Sequence, residues 1–431
     1  MRLPFLDHSK RRIISLAATF IALMLALSAC ALFPELESHT QRMMTPTGES
    51  VRFSRESYSD FEHYIAQSHQ HLLKHKVFLE HDRKREELQA ALPFRLEAQS
   101  HCPQTPKANR GAVLIHGLGD TPGTMQDLAT ALSNQCFLVY GVLLPGHGAR
   151  SAELIDVSFA DWVAAARFAV DELKTEVHEV YVGGFSLGGL TATQVAMLDT
   201  DIAGLIAISP AIALRRSGVL GQTIWLRHLV DWVDRDAQDD AWRFEPMPIN
   251  GVAQTVLLSK HVQTQLENAP LKTPAFIALS SDDAVIDAAT VQTVFEHSMP
   301  HSQSRLIDYT VSDQATTSTD NRIIEKSSEL LEENILSYSH LAVHVSPDNP
   351  RYGRQGSYRS CGFEAQDNAS DPLSTCSNAP DAYRGEVYGP ATRRHAARNI
   401  DQVVRLTYNP QFDDMLVALD AFIQETTRLK P

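Results

Sequence analysis

Short apolar runs alternate with longer helical patterns between residues 94 and 210. Runs of this length predict strands, and strands separated by helices predict βαβ units with a parallel sheet. Right-handed crossovers would place the helices on both faces of that sheet. The predicted strands are Ala112–His116, Phe137–Val142, Val180–Gly183 and Leu205–Ile208, and the predicted helices are Met125–Ser133, Phe159–Lys174 and Leu187–Leu198.

The alternation is interrupted after residue 210 and then resumes. Residues 211–270 carry mixed charges and three of the four tryptophans, which indicates a helical insertion. A polar stretch, residues 312–321, breaks the pattern a second time, and we predict a short helix after it. The later predicted elements are the strands Ala275–Ser280 and Ser304–Val311 and the helices Ala288–His297 and Phe412–Thr427.

The segments that flank this pattern are of two kinds. Residues 57–91 lack glycine and proline and show a helical face, which predicts one long helix or two short ones. Within it, His71 and His75 stand at i and i+4, a spacing that can bind a metal. No acidic residue or cysteine stands out as a further ligand. We therefore predict a solvated helix face there.

Residues 345–407 are rich in glycine, proline, tyrosine and arginine, with little periodicity.

The amino terminus has the layout of a bacterial secretory signal. A basic start precedes the apolar run Ile13–Ala29, which is short for a membrane span. Residues 27–30, LSAC, resemble the lipobox of bacterial lipoproteins, in which the cysteine, here Cys30, is lipidated and begins the mature protein. Ala31 then suggests sorting to the outer membrane of a Gram-negative host, facing the periplasm. The alternative is an uncleaved membrane anchor in which Cys30 is incidental.

Four cysteines remain if Cys30 is lipidated. An even number in an exported chain predicts two disulfides, with three possible pairings. Cys102 and Cys136 each precede a predicted strand, and the entry ends of neighbouring parallel strands lie within disulfide reach. The spacing of Cys361 and Cys376 favours a local loop closure. No cysteine or histidine spacing suggests zinc.

The length and charge of the chain narrow the possible classes of partner. With 431 residues, the chain fits one large α/β domain or two average ones. The formal charge is −14, and it becomes more negative without the first 29 residues, which carry four basic side chains against one acidic. Such a surface repels phosphates, so we expect no nucleic-acid partner.

A glycine-rich turn, GFSLG at residues 184–188, lies between a predicted strand and a predicted helix. It fits G-x-S-x-G, in which a strained turn lifts the hydroxyl of the serine, here Ser186, above the sheet. The helix that begins at Leu187 directs its first amides towards an oxyanion formed there. The turn HGLG at residues 116–119 can add the amide of Leu118 as a second donor. The alternative for HGLG is an ordinary glycine turn after a buried strand.

Four motifs carry a family resemblance: HGLGDTPGTM, LLPGHG, GGFSLGGL and SSDDAVID. With them the chain resembles the α/β-hydrolases over residues 111–340, and is similar to bacterial carboxylesterases and monoacylglycerol lipases and more distantly to the serine aminopeptidase group. The resemblance implies an α/β fold: a mostly parallel central sheet flanked by helices, with residues 211–270 as a helical cap. Phe185 stands where many monoacylglycerol lipases have histidine.

The resemblance also implies a catalytic acid after the strand Ala275–Ser280. The order in this fold is serine, acid, histidine. Asp283, which precedes Ala-Val-Ile, matches the register of the family, and Asp282 is the alternative.

The general base is expected near residue 340. His340 follows a short apolar run and a serine, as in the family tail that delivers the histidine; His344 is the alternative, and His395 is remote. His116 and His147 are expected to shape the floor of the pocket.

The resulting prediction is a serine hydrolase that cleaves a small ester or acyl-glycerol-like substrate through an acyl-enzyme, with no metal or organic cofactor. Thioester or amide cleavage by the same triad is one alternative. A non-catalytic surface lipoprotein that binds a partner is the other. The predicted organisation is a signal peptide (1–29), a tether (30–56), a helical region (57–92) and a hydrolase domain (93–431) with its cap (211–270) and an irregular, disulfide-containing insertion (345–407).

Overall fold

A computed structural model describes residues 38–311 except positions 104 and 106, and then residues 318–358, 382–398, 400 and 403–427. Cys30, Cys361 and Cys376 lie outside the described residues. Within the described ranges, no helix combines the length and the apolar character needed to cross a bilayer.

An eight-stranded sheet forms the centre of the molecule, in the order β1-β3-β2-β4-β5-β6-β7-β8. All neighbouring strands are parallel except β1, which runs antiparallel to β3. A separate parallel pair is formed by β9 and β10. The strands are β1 Phe94–Leu96, β2 Ala108–Ile115, β3 Phe137–Val142, β4 Val177–Phe185, β5 Gly204–Ile208, β6 Ala275–Ser280, β7 Arg305–Thr310, β8 Ile323–Ser327, β9 Tyr383–Gly385 and β10 Val403–Arg405.

Helices cover both faces of the sheet, because the inner strands are apolar on both sides. Val113 and Ile115 of β2 belong to one buried cluster, whereas Ala112 and Leu114 belong to the other. The first cluster includes side chains of α5, α6, α9 and α10, and the second includes side chains of α4 and α12. The helices are α1 Ser38–Met43, α2 Phe61–His75, α3 Lys84–Ala91, α4 Gln126–Asn134, α5 Phe159–Glu176, α6 Leu187–Leu198, α7 Ser217–Leu220, α8 Thr223–Leu226, α9 Ile249–Asn268, α10 Ala288–Ser298, α11 Pro390–Ala397 and α12 Phe412–Thr427.

The six strands predicted from the pattern are confirmed as β2 to β7, and the predicted helices as α4, α5, α6, α10 and α12. The short helix predicted after residue 321 is wrong: a strand, β8, and a 3₁₀ turn, Leu331–Glu333, stand there. β8 lies at the edge of the sheet and is exposed at three of its five residues, so it lacks the apolar run of an inner strand.

The amino-terminal region packs against the sheet through two separate helices, α2 and α3. Asp60 caps α2 by accepting a hydrogen bond from the amide of His63. The ring of Phe61 stacks on Tyr140 of β3 at 3.9 Å between centroids. The hydroxyl of Tyr64 donates to the carbonyl oxygen of Leu143. Of the two helical arrangements expected from the sequence, the structure has the pair of short helices.

The described part of the predicted tether also contacts the body of the protein. Helix α1 buries Thr40 and Met43, and the hydroxyl of Ser151 donates to the carbonyl oxygen of Met43.

The insertion between β5 and β6 contains two short helices, α7 and α8, an irregular stretch, and the long helix α9. Trp225 is 76% exposed, and Trp232 and Trp242 are half-buried. Trp225 faces solvent because α8 is only four residues long and lies at the surface.

A disulfide joins Cys102 and Cys136, with an S–S distance of 2.06 Å. These residues precede β2 and β3, which are parallel neighbours with Arg110 opposite Phe137. The pairing expected from the entry ends of two adjacent strands is present.

Candidate active site

Ser186 lies in a tight turn between β4 and α6. Its backbone has φ 54° and ψ −114°, a region that costs free energy for any residue with a side chain. Its amide donates to the carbonyl oxygen of Ile208 at 2.9 Å, which ties the turn to the end of β5. The strained turn predicted from G-x-S-x-G is present.

The two motif glycines allow the neighbouring strand to approach this turn. A Cβ on Gly184 would lie 2.3 Å from the carbonyl oxygen of Ile115, and one on Gly188 would lie 1.9 Å from the same oxygen. Both distances are too short for any side chain. The turn therefore requires glycine at both positions because β2 ends directly beside it.

Ser186, His340 and Asp283 form a continuous hydrogen-bonded chain. Nε2 of His340 lies 3.0 Å from the Ser186 hydroxyl, and Nδ1 lies 2.6 Å from Oδ2 of Asp283. The other carboxylate oxygen of Asp283 accepts from the amides of Val285 and Ile286 at 2.7 and 2.8 Å. With Nδ1–H donating to the carboxylate, Nε2 is free to accept the serine proton.

The alternative acid, Asp282, belongs to a different contact. It is paired with Arg394 of α11, and its amide donates to the hydroxyl of Ser280. The two neighbouring aspartates of the turn after β6 thus have different partners. Asp283 faces His340, and Asp282 faces Arg394 of α11.

The alternative bases, His344 and His395, contact other groups. His344 stacks on Phe185 at 3.8 Å between centroids, and burial lowers its pKa well below the ordinary value. His395 lies near the hydroxyl of Ser337, and burial lowers its pKa to about 4. Phe185, at the position where many monoacylglycerol lipases have histidine, thus packs beside two imidazole rings, those of His344 and His340.

His116 and His147 lie beside each other, 4.8 Å apart between ring centroids. Nδ1 of His116 donates to the carbonyl oxygen of Gly117, and Nε2 accepts from the amide of Leu144, so both ring nitrogens are occupied. Burial lowers the pKa of His147 to about 4. Both side chains are buried and neutral, which suits a packing role.

The predicted oxyanion donors lie at the carboxyl edge of the sheet. Leu187 is the first residue of α6, and Leu118 follows β2, whose Ile115 is opposite Gly184 of β4. This register places the turn after β2 beside the turn that carries Ser186. The use of the two amides as donors remains a prediction.

Glu386 supports the site and was missed by the sequence analysis. One of its carboxylate oxygens accepts from the amides of His340 and Ala284, at 3.2 and 3.3 Å, and the other accepts from the amides of Val387 and Tyr388. The residue is fully buried, and burial raises its pKa. Glu386 therefore connects the loop of the acid to the loop of the histidine. A single acidic residue in a stretch without periodicity offers no signal of this kind.

The cap is fastened to the turn after β2 by a buried ion pair. Nε of Arg243 donates to Oδ1 of Asp120 at 2.8 Å, and the amide of Phe244 donates to the carbonyl oxygen of Gly119 at 2.7 Å. The guanidinium also lies over the ring of Tyr352, 4.4 Å from its centroid. The cap, the turn after β2 and the segment after His340 thus meet at one place.

Comparison with known proteins finds relatives of the part of the chain that contains Ser186 and Asp283. Residues 106–310 match the family described as serine aminopeptidase, S33. A thermostable monoacylglycerol lipase from a Bacillus species is 27% identical over 191 residues, which are 43% of this chain and 75% of the lipase. A pimeloyl-[acyl-carrier protein] methyl ester esterase from Aliivibrio salmonicida is 29% identical over 178 residues, which are 41% of this chain and 65% of the esterase.

Among solved structures, a monoacylglycerol lipase from Paleococcus ferrophilus superposes with a TM-score of 0.41 at 19% identity, covering 51% of this chain and 88% of the lipase. Three observations support one fold: the order of the parallel strands, the turn between β4 and α6, and the match over residues 106–310. The chain has the α/β-hydrolase fold.

Proposed function

We propose that this protein is a serine hydrolase that cleaves carboxylic esters through an acyl-enzyme. One observation carries the proposal: a serine on a strained turn, an imidazole 3.0 Å from its hydroxyl, and a buried carboxylate 2.6 Å from the other ring nitrogen. These are the groups that serine acyl transfer needs, in the contacts that it needs.

The proposed reaction begins when His340 Nε2 takes the proton of Ser186 as the oxygen attacks the ester carbonyl carbon. Asp283 stabilises the imidazolium through Nδ1–H. The amides of Leu118 and Leu187 would stabilise the oxyanion, and His340 then gives the proton to the departing alcohol. Water, deprotonated by His340, attacks the acyl carbon; the bond to the Ser186 oxygen then breaks, the acid is released, and His340 returns the proton to Ser186.

The proposed substrate is a small ester or an acyl-glycerol-like ester. The names of the relatives, a monoacylglycerol lipase and a methyl ester esterase, support ester cleavage. The family description, serine aminopeptidase, names cleavage of an amide. Amide cleavage by the same triad is therefore the second candidate.

A panel of acyl substrates separates the two candidates. We expect p-nitrophenyl esters of graded chain length to give kcat/KM values at least a hundredfold above those of amino-acid p-nitroanilides and acyl thioesters. Ser186→Ala measured beside the wild type is the control for contaminating esterases. A higher kcat/KM for the anilides would replace the ester proposal by a peptidase.

We also propose that the protein is a lipoprotein held at the membrane through Cys30, facing the periplasm. The basic start, the apolar run and the LSAC sequence at residues 27–30 support this proposal. Cys30→Ser should remain an unprocessed precursor or leave the membrane fraction. Normal attachment of that variant, with incorporation of a palmitate analogue, would contradict it.

The second disulfide, Cys361–Cys376, is proposed from the spacing and from the even number of cysteines. Mass mapping of a non-reduced digest should find this pair linked. Free thiols at both positions would exclude the link.

A further inference from the structure

Two histidines of α2 and one glutamate from the preceding segment meet at the surface, away from Ser186. Nδ1 of His71 lies 3.1 Å from Oε2 of Glu49, and Nε2 of His75 lies 3.0 Å from Oε1 of the same carboxylate. The rings of His71 and His75 are 4.9 Å apart between centroids. One donor atom from each of the three residues lies within 4.8 Å of the other two.

We propose that Glu49, His71 and His75 bind a divalent transition-metal cation, with zinc the best fit. Two imidazole nitrogens and a carboxylate oxygen are a donor set that zinc takes in proteins, with water as a fourth ligand. Tetrahedral zinc with bonds near 2.0–2.1 Å separates its ligand atoms by about 3.3 Å. The two nitrogen-to-carboxylate distances, 3.1 Å from His71 to Oε2 and 3.0 Å from His75 to Oε1, are close to that value, so each imidazole already faces one oxygen of Glu49 at the spacing of two zinc ligands.

A second carboxylate orients His71 for this role. Nε2 of His71 lies 3.2 Å from Oε1 of Glu153, whose side chain is only 3% exposed and also accepts from the hydroxyl of Thr47. A metal-binding histidine normally donates its second N–H to a carboxylate, which selects the nitrogen that remains for the metal. Glu153 thus leaves Nδ1 of His71, the nitrogen beside Glu49, as the ligand.

The environment of His75 also favours a bound cation. Its Nε2 is buried and receives no well-directed hydrogen bond from the part of the chain that the structure describes. The group that faces this nitrogen is the Glu49 carboxylate, at 3.0 Å. A cation between the two would give the nitrogen of His75 a partner.

Two basic side chains lie close to the site. Nζ of Lys74 contacts Oε1 of Glu49 at 2.5 Å, but the side chain is 67% exposed and can swing into solvent. The guanidinium of Arg150 is turned away towards the carbonyl oxygens of His75 and Thr45. Lys74 therefore competes with the metal for Glu49, whereas Arg150 does not reach the carboxylate.

The histidine pair was predicted to be a solvated helix face because no acidic partner was apparent. The partner, Glu49, lies 22 residues before His71 and reaches it only through the path of the chain ahead of α2. A bound cation would join that segment to α2 and, through Glu153, to the 3₁₀ turn Ser151–Ile155. We infer a structural site that fastens the amino-terminal segment to the body.

Zinc titration of the purified, EDTA-treated protein tests the proposal by calorimetry and by thermal unfolding. We expect one zinc ion whose affinity falls at least tenfold in His71→Ala and in His75→Ala, and about tenfold in Glu153→Gln. His69→Ala, on the same helix, is the matched control and should bind as the wild type does. Lys74→Ala should bind more tightly, because a competitor for Glu49 is gone.

Zinc should also raise the unfolding temperature of the wild type but not that of His71→Ala. If an alanine variant fails to fold, Glu49→Gln, which is conservative and partly exposed, takes its place. Absence of zinc binding by the wild type would overturn the proposal. Equal zinc affinity in the wild type and the His71, His75 and Glu49 variants would overturn it as well.

Discussion

The carbonyl oxygen of Ile115 lies 1.9 Å from the position of a Cβ on Gly188. Gly188→Ala must therefore displace the strand end or the serine turn, and we expect it to lower the free energy of unfolding by about 3 kcal/mol and to reduce ester hydrolysis sharply. Denaturant unfolding and an esterase assay measure the two effects. Gly218→Ala in α7 is the matched control, since no atom lies within 4 Å of its added methyl. Equal behaviour of the two variants would contradict the account of the turn.

The adjacent aspartates after β6 offer a second test at single residues. Asp283→Asn removes the carboxylate that orients His340, and kcat should fall by about 10⁴. Asp282→Asn weakens the pair with Arg394 instead, so kcat should stay within about tenfold of the wild type, while the unfolding temperature falls. A larger loss of kcat in Asp282→Asn than in Asp283→Asn would reverse the proposed roles.

Much of this site could be predicted from the sequence because its parts follow strand ends. Ser186 follows β4 and Asp283 follows β6, and parallel strands bring their carboxyl ends to one edge of the sheet. His340 was harder to place, since an unpredicted strand, β8, lies between β7 and this residue. Glu386 could not be found, because its role depends on backbone amides of two distant loops.

At the scale of elements, the loop that carries Glu386 holds the loop of His340 and the loop of Ala284 in place. Glu386→Ala leaves the amides of His340 and Ala284 without their acceptor, so the imidazole should lose its alignment. We expect kcat to fall about 10- to 100-fold with KM nearly unchanged, because Glu386 is a positioning residue. Glu386→Gln supplies one acceptor oxygen instead of two and should be intermediate.

A steady-state assay, with circular dichroism to verify folding, makes this measurement. An unchanged kcat in Glu386→Ala would show that the two loops are held by other contacts. A rise in KM alone would place Glu386 in substrate binding instead.

The pattern did not predict either edge strand of the central sheet. β1 has three residues, and three of the five residues of β8, IIEKS, are polar. A short or polar edge strand has no apolar run, and its assignment depends on pairing with a neighbour that the sequence does not display. The inner strands were predictable because burial on both faces requires continuous apolar runs.

At the scale of the whole molecule, buried neutral histidines make stability depend on pH. Burial lowers the pKa of His147 from 6.5 to about 4. Between pH 4 and pH 6.5, His147 is protonated in the unfolded chain but not in the folded chain. The free energy of unfolding therefore falls as the pH drops from 6.5 to 4. The contribution of His147 to this loss is about 3 kcal/mol, and it is absent above pH 6.5.

Urea unfolding at a series of pH values tests this dependence. His147→Gln should lose about 3 kcal/mol less than the wild type between pH 6.5 and pH 4. His297→Gln, at an exposed position on α10, is the control and should follow the wild-type curve. Parallel curves for His147→Gln and the wild type would show that His147 is protonated without cost.

The polar contacts between distant segments of the molecule could not be predicted from the sequence, because they join residues far apart in the chain. Arg351 pairs with Asp240, 111 residues earlier, and Asp127 accepts from the amide of Ser346, 219 residues later. Such pairs fasten the segment after His340 to the cap and to α4. Neither composition nor periodicity identifies which polar residues will meet.

The central claim is that Ser186 is the nucleophile, and covalent labelling with a fluorophosphonate tests it most directly. Peptide mapping of the labelled wild-type protein should find one adduct, on the Ser186 hydroxyl. Ser186→Ala should take no label, and His340→Ala should react slower by several orders of magnitude, because the hydroxyl alone is a weak nucleophile at neutral pH. Full labelling of Ser186→Ala, or an adduct on any other residue of the wild type, would contradict the account.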